Sequence, residues 1–245
     1  MGFMKLWCLH GAVGLAADWD DFKKRMEMEG HQVHAIDLWS YLDDADCSFE
    51  EFAGKLCKAA RKESAPPVLI GYSMGGRLAL HALIEDPLVW SGAMLISAHP
   101  GLEAEEERIR RMAADAEWAA KILSGGWERF LNEWENQPIL QGHCKSPLAD
   151  RSNLRERQVA VARGFTSWSL GKQQNLRNSL KDIDKPVVWL AGKRDQKFAS
   201  LADLVWSQMS DSYLLGPLDA GHRVPWEAPE EFSLCVEHLL DLINR

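Results

Sequence analysis

Residues 68–77 read VLIGYSMGGR and contain a Gly-x-Ser-x-Gly pentapeptide centred on Ser73. An apolar run precedes the serine, and a segment with helical spacing, LALHAL, follows from Leu78. In a strand-to-helix turn of this kind the serine lies on a strained residue with its oxygen exposed, and the flanking glycines let strand and helix approach closely. We therefore predict a reactive serine at position 73.

A serine in such a turn requires an acid and then a histidine later in the chain. Asp195 lies just past the apolar run 187–191, and His222 follows the last apolar run. This order predicts a catalytic triad of Ser73, Asp195 and His222, in which Asp195 fixes the tautomer of the histidine. The alternative for Asp195 is a helix N-cap, because Gly-x-x-Asp before a helix caps well.

Two backbone N–H groups are predicted to form an oxyanion hole beside Ser73. Met74 begins the helix after the serine, where the helix dipole favours negative charge. Ala12 follows the first apolar run within the sequence Leu9-His10-Gly11-Ala12, and the glycine allows the chain to turn so that the Ala12 N–H points to the same place. We expect His10 to brace this loop rather than to take part in catalysis.

Alternating apolar runs and helical patterns indicate an α/β fold. The nearly continuous apolar character of several runs is typical of a parallel sheet buried on both faces. Strands are predicted at 4–10, 33–37, 68–72, 93–97, 187–191 and 212–215. Between 97 and 180 only helical patterns occur, around 104–124, 127–135, 153–169 and 172–180. We expect core regions at 1–96 and 181–245, separated by a helical cap at 97–180.

Composition limits the possible partners. The chain has 245 residues, 46% of them hydrophobic, and a net charge of −8, which argues against a nucleic-acid binder with its basic face. Its apolar runs are too short to cross a membrane. Five scattered cysteines and the lack of a signal-peptide pattern favour a cytoplasmic protein with reduced thiols. We expect a monomer or small homo-oligomer without membrane or nucleic-acid partners.

These features together resemble the α/β-hydrolase superfamily, whose mostly parallel central sheet is flanked by helices and carries a helical cap. Residues 71–77 are similar to the corresponding turn of the 2-succinyl-6-hydroxy-2,4-cyclohexadiene-1-carboxylate (SHCHC) synthase family of menaquinone biosynthesis. Three more stretches resemble that family: AHPGL at 98–102 with ERIRR at 107–111, FLNEWENQP at 130–138, and AGKRDQKF at 191–198.

The resemblance implies a lyase rather than a hydrolase. The family removes pyruvate from an enolpyruvyl cyclohexene tricarboxylate (SEPHCHC) to give SHCHC, using its triad as a base assembly and no cofactor or metal. The alternative is a carboxylesterase or C–C bond hydrolase in which Ser73 is the nucleophile. A ligand-binding relative with little turnover is a third possibility.

A small anionic substrate would need positively charged groups near Ser73, because Arg matches carboxylates with paired hydrogen bonds. By motif position, the resemblance implies that Arg77 and Arg111 bind carboxylates and that Tyr72 and Trp134 line the pocket. Each has an alternative reading: Arg77 as an ordinary paired helix residue, Arg111 in a solvated i, i+4 pair, and Trp134 as packing within the cap.

The resemblance also implies a third arginine after Pro138, for which Arg155 is our choice and Arg151 the competitor. Two departures concern substrate detail. Residues 33–38 lead into Trp39-Ser40-Tyr41 instead of Pro-Gly-His-Gly, and Arg223 follows His222 where the family tends to have another histidine close by.

Overall fold

A single parallel sheet forms the centre of the protein. The computed structural model describes residues 2–142, 144, 148–207, 212–214 and 218–245. The strands in these residues are β1 (Lys5–Leu9), β2 (Gln32–Ile36), β3 (Val68–Tyr72), β4 (Gly92–Ile96), β5 (Val187–Leu190) and β6 (Ser212–Leu214). Their order across the sheet is β2-β1-β3-β4-β5-β6, and all five pairings are parallel. The carboxyl ends of the strands therefore share one edge, where a site can assemble.

Helices connect the strands. The α-helices are α1 (Asp20–Met28), α2 (Phe49–Ala60), α3 (Met74–Glu85), α4 (Glu105–Leu123), α5 (Trp127–Glu135), α6 (Gln158–Ser167), α7 (Arg177–Leu180), α8 (Gln196–Trp206), α9 (Val224–Glu227) and α10 (Pro229–Ile243). Short 3-10 helices span Ala16–Trp19, Leu38–Tyr41, Pro87–Val89, Pro138–Leu140 and Ser152–Arg157. No helix in the described residues is long and apolar enough to cross a membrane.

Both faces of the sheet are buried, as the continuous apolar runs predict. Strand residues alternate between two hydrophobic clusters because successive side chains point to opposite faces. One cluster contains Trp7, Leu69, Leu95 and Trp189, together with residues of α2 and α3. The other contains Leu6, Ile70, Met94 and Leu190, together with residues of α1 and α10. Burial on both sides fixes the sheet rigidly beneath the loops at its carboxyl edge.

The strand predictions are confirmed, with ends shifted by one residue in most cases, and residue 215 of the last prediction lies outside the described residues. The predicted helix at 172–180 is wrong over its first five residues, since only Arg177–Leu180 is helical. The reason is tertiary: the Leu176 N–H donates to the Pro100 carbonyl over 2.7 Å, which draws this backbone onto the loop after β4.

Between β4 and β5 the described residues contain helices α4 to α7 and no strand. Helix α4 packs mainly against α6, and α5 contacts α4. Four ion pairs among the described residues connect this helical segment to the rest of the protein, and two of them join Arg157 to Asp37 and Asp43. Arg151 pairs with Asp18 after β1, and Glu135 at the end of α5 pairs with Arg223 after β6. The segment therefore lies over the carboxyl edge of the sheet.

Candidate active site

Ser73 occupies a strained turn between β3 and α3. Its φ of 53° and ψ of −111° fall outside the regions that L-residues favour, at a cost of about 1–3 kcal/mol. The flanking glycines are needed for close packing. A Cβ on Gly71 would lie 2.5 Å from the Gly75 carbonyl oxygen, and one on Gly75 would lie 2.4 Å from the His10 carbonyl oxygen. The turn thus holds the serine side chain clear of strand and helix.

The structure brings the three predicted triad residues into one hydrogen-bonded chain. His222 Nδ1 lies 2.6 Å from Asp195 Oδ2, and His222 Nε2 lies 3.1 Å from Ser73 Oγ. The imidazole and the carboxylate are almost completely buried. Because the carboxylate can only accept, Nδ1 carries the proton and Nε2 presents a lone pair to the serine hydroxyl. This arrangement can take the proton from Ser73 Oγ, or through it from a bound molecule.

Asp195 occupies the position of the triad acid and also that of the helix N-cap, the two interpretations of its sequence position. One carboxylate oxygen, Oδ2, accepts from His222, while Oδ1 accepts the Phe198 N–H over 3.4 Å and caps α8. The cap fixes the rotamer of the side chain, so the second oxygen is aimed at the imidazole. The two roles are therefore cooperative.

Ala12 and Met74, the predicted oxyanion donors, both line the cavity next to Ser73. Neither backbone N–H donates to another group of the described residues. The loop that carries Ala12 is tightly held: Val13 adopts a φ of 56°, and His10 Nε2 accepts the Leu38 N–H over 3.2 Å. Burial lowers the pKa of His10 to about 4, so this histidine is neutral and structural, as expected.

One cavity joins these groups to positively charged side chains. It is lined by Ala12, Tyr72, Ser73, Met74, Arg77, Ser97, His99, Arg111, Trp134, Gln137, Ile139, Leu140, Leu170, Lys197, Phe198 and His222. Three of these side chains are cations, namely Arg77, Arg111 and Lys197, and none of the described lining residues is acidic. Burial, aided by the charge of Lys197, lowers the pKa of His99 to about 3 and keeps it neutral.

Arg77 is buried without a carboxylate partner among the described residues. Its Nη1 makes a long contact of 3.5 Å with Gln173 Oε1, and its guanidinium lies 5.5 Å from the centre of the Phe49 ring. Burial and the nearby charge of Arg111 lower the pKa of Arg77 to about 9, which leaves it charged at neutral pH. A buried charge without a counterion is costly, so this site is suited to an anion.

Arg111 is held by its own helix. Its Nε donates to both oxygens of Asp115, four residues later, over 2.9 and 2.8 Å. Asp115 is buried and also accepts from Ser169 Oγ, which fixes the pair in place. The two terminal amino groups of Arg111 donate to no described residue. An i, i+4 pair is therefore present, but with the buried Asp115 and not in the solvated form of the alternative reading, and it leaves the fork of the guanidinium available to a ligand.

Aromatic side chains form the apolar walls. Trp134 packs at 5.3 Å against Trp118 and at 5.1 Å against Phe165, measured between ring centres, so it serves both the helical packing and the cavity. Tyr72 is buried with its ring 5.5 Å from that of His222. Burial raises the pKa of the Tyr72 hydroxyl, which stays protonated.

The two candidates for a third arginine lie elsewhere. Arg155 has a side chain that is 68% exposed, is paired with Glu128 at 3.5 Å, and is absent from the cavity lining. Arg151, whose side chain is 12% exposed, forms a two-pronged ion pair with Asp18 at 2.7 and 2.9 Å. The geometry does not bring Arg155 to the site, because its short 3-10 helix presents it to solvent beside α5.

Sequence reasoning missed several groups of the site. Lys197 lies in the first turn of α8, two residues after Asp195, where a cation opposes the helix dipole. This electrostatically unfavourable position is the feature of the sequence that could have indicated a functional lysine. Ser97 has a φ of 47° and donates through Oγ to the His222 carbonyl over 3.0 Å. Gln173 links Arg77 to the His99 carbonyl, and no local pattern marks it.

A sequence model described as the alpha/beta hydrolase family matches residues 8–233. The match agrees with the serine in a strand-turn-helix, with the order of acid and histidine, and with the parallel sheet. The chain belongs to the alpha/beta hydrolase family. One fold hosts many activities, so function depends on the site built at the carboxyl edge of the sheet.

Relatives of this alpha/beta hydrolase carry one recurrent name. A 2-succinyl-6-hydroxy-2,4-cyclohexadiene-1-carboxylate synthase from Enterobacter sp. (strain 638) is 28% identical over 98% of this chain and 93% of that protein. A Bacillus subtilis (strain 168) protein, which carries the same name provisionally, is 33% identical over 71% of this chain and 66% of its own length. The solved structure of MenH from S. aureus superimposes with a TM-score of 0.88 at 25% identity, covering 99% of this chain and 95% of the other.

Proposed function

We propose that this protein is a cofactor-free lyase that eliminates pyruvate from the enolpyruvyl cyclohexene tricarboxylate SEPHCHC to give SHCHC. The observation that carries the proposal is a cavity in which a Ser-His-Asp chain faces three cations, with no acidic residue among the described lining. The names of the relatives support the same reaction.

The base is the Ser73 hydroxyl, polarised by His222. Its Oγ lies 3.1 Å from His222 Nε2. As Ser73 Oγ takes a proton from the substrate, it can therefore pass its own hydroxyl proton to the imidazole. Asp195 then stabilises the imidazolium through its 2.6 Å contact. In this proposal the serine acts as a proton carrier and forms no covalent intermediate.

The elimination moves one electron pair through the substrate. Loss of a proton next to the succinyl ketone places negative charge on the ketone oxygen, where the Ala12 and Met74 N–H groups are available to donate. The pair then passes through the ring double bond and breaks the C–O bond to the enolpyruvyl group. The leaving group departs as enolpyruvate and takes up a proton to become pyruvate, while the ring becomes a diene.

The cations account for the choice of an acidic substrate by an acidic protein. Arg77 has no carboxylate partner in the part of the chain that the structure describes, Arg111 offers its terminal amino groups, and Lys197 lies in the first turn of α8. A substrate with three carboxylates complements three such groups, whereas an ester pocket is predominantly apolar. Residues 97–180 act in this proposal as a cap that excludes water, held down by the Arg151–Asp18 and Arg223–Glu135 ion pairs.

A coupled assay tests the proposal. SEPHCHC is generated in situ by the enzymes that precede this step, and pyruvate is measured by lactate dehydrogenase. We expect pyruvate release that depends on the protein and falls by about 10³-fold in Ser73→Ala, since a positioned base contributes about 10²–10⁴-fold. Ser124→Ala, at an exposed serine after α4, is the matched control and should retain full activity.

The carboxylesterase alternative uses the same triad, so it is distinguished from the lyase by the products that the protein forms. A panel of p-nitrophenyl esters, neutral and carboxylated, is assayed in parallel with SEPHCHC. Ester turnover in the absence of any pyruvate release above the Ser73→Ala background would reject the lyase and leave the hydrolase. Pyruvate release without ester turnover would reject the hydrolase.

A further inference from the structure

Glu227 makes three contacts around the loops that carry His222 and Asp195. It ends the short helix α9, and only 2% of the residue is exposed. Its Oε2 accepts the Gly221 N–H over 2.9 Å, and its Oε1 accepts the Arg223 N–H over 3.1 Å. These two N–H groups belong to the residues on either side of His222, so one carboxylate holds both ends of the histidine.

The same carboxylate reaches the loop that carries Asp195. Arg194, immediately before Asp195, donates through Nη2 to Glu227 Oε2 over 2.9 Å. The Arg194 backbone N–H also donates to the Ala220 carbonyl over 3.0 Å, two residues before His222. Glu227 is therefore bonded to the loop after β5 and to the loop after β6, the two loops that must be aligned for the contact between Asp195 and His222.

We propose that Glu227 is a positioning residue that aligns His222 with Asp195 and Ser73 by bonding both of their loops. The proposal rests on the triad named in the proposed function, and it adds a group that touches neither substrate nor triad side chain. A buried carboxylate is costly unless its oxygens are satisfied. Three N–H donors, one of them charged, offset that cost here.

A purely local role would be to start α9, because Glu227 reaches back to the N–H that precedes this helix. That role explains the bond to Arg223. A role in starting α9 does not explain the bonds to Gly221 and Arg194, since neither residue belongs to α9. The extra bonds converge on the triad loops, which is why we assign the residue to alignment.

Glu227→Gln tests the proposal, because an amide keeps the size but offers a single acceptor oxygen and places N–H groups against donors. Ser73 reactivity is measured with a small uncharged fluorophosphonate, whose Oγ–P bond forms as fluoride leaves and the hydroxyl proton passes to His222. Intact mass spectrometry gives the rate. We expect a fall of about 10²-fold, the usual effect of an ångström of misplacement.

Steady-state kinetics should show the same fall in kcat, with KM within about threefold of wild type, because the cations are untouched. Glu230→Gln, at an exposed glutamate on the next helix, is the matched control and should match wild type. Arg194→Met leaves the bonds from Glu227 to Gly221 and Arg223 in place and removes the link to the Asp195 loop, together with the bonds of Arg194 to Asp219, so it should give a smaller fall. It also tests the idea if Glu227→Gln fails to fold.

A crystal structure of the folded variant gives a readout that needs no reaction. We expect the His222 Nδ1 to Asp195 Oδ2 separation to increase from 2.6 Å. A folded Glu227→Gln protein with that separation and the wild-type rate of Ser73 labelling would overturn the proposal. If wild type releases no pyruvate but the variant labels slowly, the lyase fails and the alignment role stands. If wild type and Glu227→Gln release pyruvate at equal rates, the lyase stands and the alignment role fails.

Discussion

Two sides of the cavity differ in how completely their polar groups are bonded. On the triad side, which consists of Ser73, Asp195 and His222, both imidazole nitrogens and both carboxylate oxygens have partners. On the cation side, which consists of Arg77, Arg111 and Lys197, Arg77 contacts an amide at 3.5 Å and the Phe49 ring but no described carboxylate, and the terminal amino groups of Arg111 have no described partner.

The difference indicates what each side is built to meet. Groups that must keep one geometry through a reaction are fixed by bonds inside the protein. Groups that must bind an anion keep unused donors, and an unpaired buried charge lowers stability until the anion arrives. Substitutions on each side of the cavity test this distinction.

Asp195→Asn should separate the two roles of the aspartate on the triad side. Asparagine caps a helix as well as aspartate does, so α8 and the thermal midpoint should change little. The amide cannot stabilise the imidazolium or enforce the tautomer, so pyruvate release should fall by about 10³–10⁴-fold. Asp195→Ala should show the same loss of rate and an additional loss of about 1 kcal/mol in unfolding free energy. Equal stability of the two variants would contradict the capping role.

Arg77→Met should lower activity and raise stability together. We expect kcat/KM for SEPHCHC to fall by about 10²-fold, because a charged contact to a carboxylate is lost. Removing an unpaired buried charge should increase the unfolding free energy in urea by about 1 kcal/mol.

Arg155→Gln is the matched control for Arg77→Met and should change neither quantity, since Arg155 is exposed and lies outside the cavity lining. If Arg77→Met destabilises the protein, Arg77 is structural and the cation side loses its distinguishing feature. If Arg155→Gln lowers kcat/KM, the geometry of the segment around α5 and α6 differs in the working enzyme.

Lys197→Gln should give a smaller effect, because this lysine is exposed and water screens its charge. We expect kcat/KM to fall by about tenfold, with the loss growing at low ionic strength. Lys193→Gln removes an equally exposed lysine of the preceding loop, paired with Asp219, and should have no effect. Equal kinetics for the two variants would remove Lys197 from the cation side.

Buried neutral histidines should make the protein sensitive to acid. Burial lowers the pKa of His81 to about 4, below the unfolded value of about 6.5. The unfolded chain then binds the extra proton first, so stability is lost as pH falls from about 6.5 towards 4, by up to about 1.4 kcal/mol per pH unit for each such group. His81→Leu should flatten the dependence of unfolding free energy on pH, whereas His34→Gln, at an exposed histidine, should not.

Much of the fold could be read from local patterns. The strands β3 and β5 and the helix α5 begin where the sequence places them, because apolar periodicity and turn residues act over a few neighbours. The failure at 172–176 has the opposite origin. There a backbone bond from Leu176 to Pro100, distant in sequence, overrides a helical pattern.

The site divides in the same way. Ser73 and its glycines are fixed by a local steric requirement, and the order of Asp195 and His222 follows from the order of strands at one sheet edge, so the sequence alone determined these residues. The resemblance predicted Arg77 and Arg111 at the cavity, whereas tertiary structure decided which further charges gather there. Lys197 joins the cavity lining and Glu227 bonds the loops that carry Asp195 and His222, while Arg155 turns to solvent and Arg151 is paired with Asp18. Long side chains converge or diverge according to packing between segments distant in sequence, which local patterns do not fix.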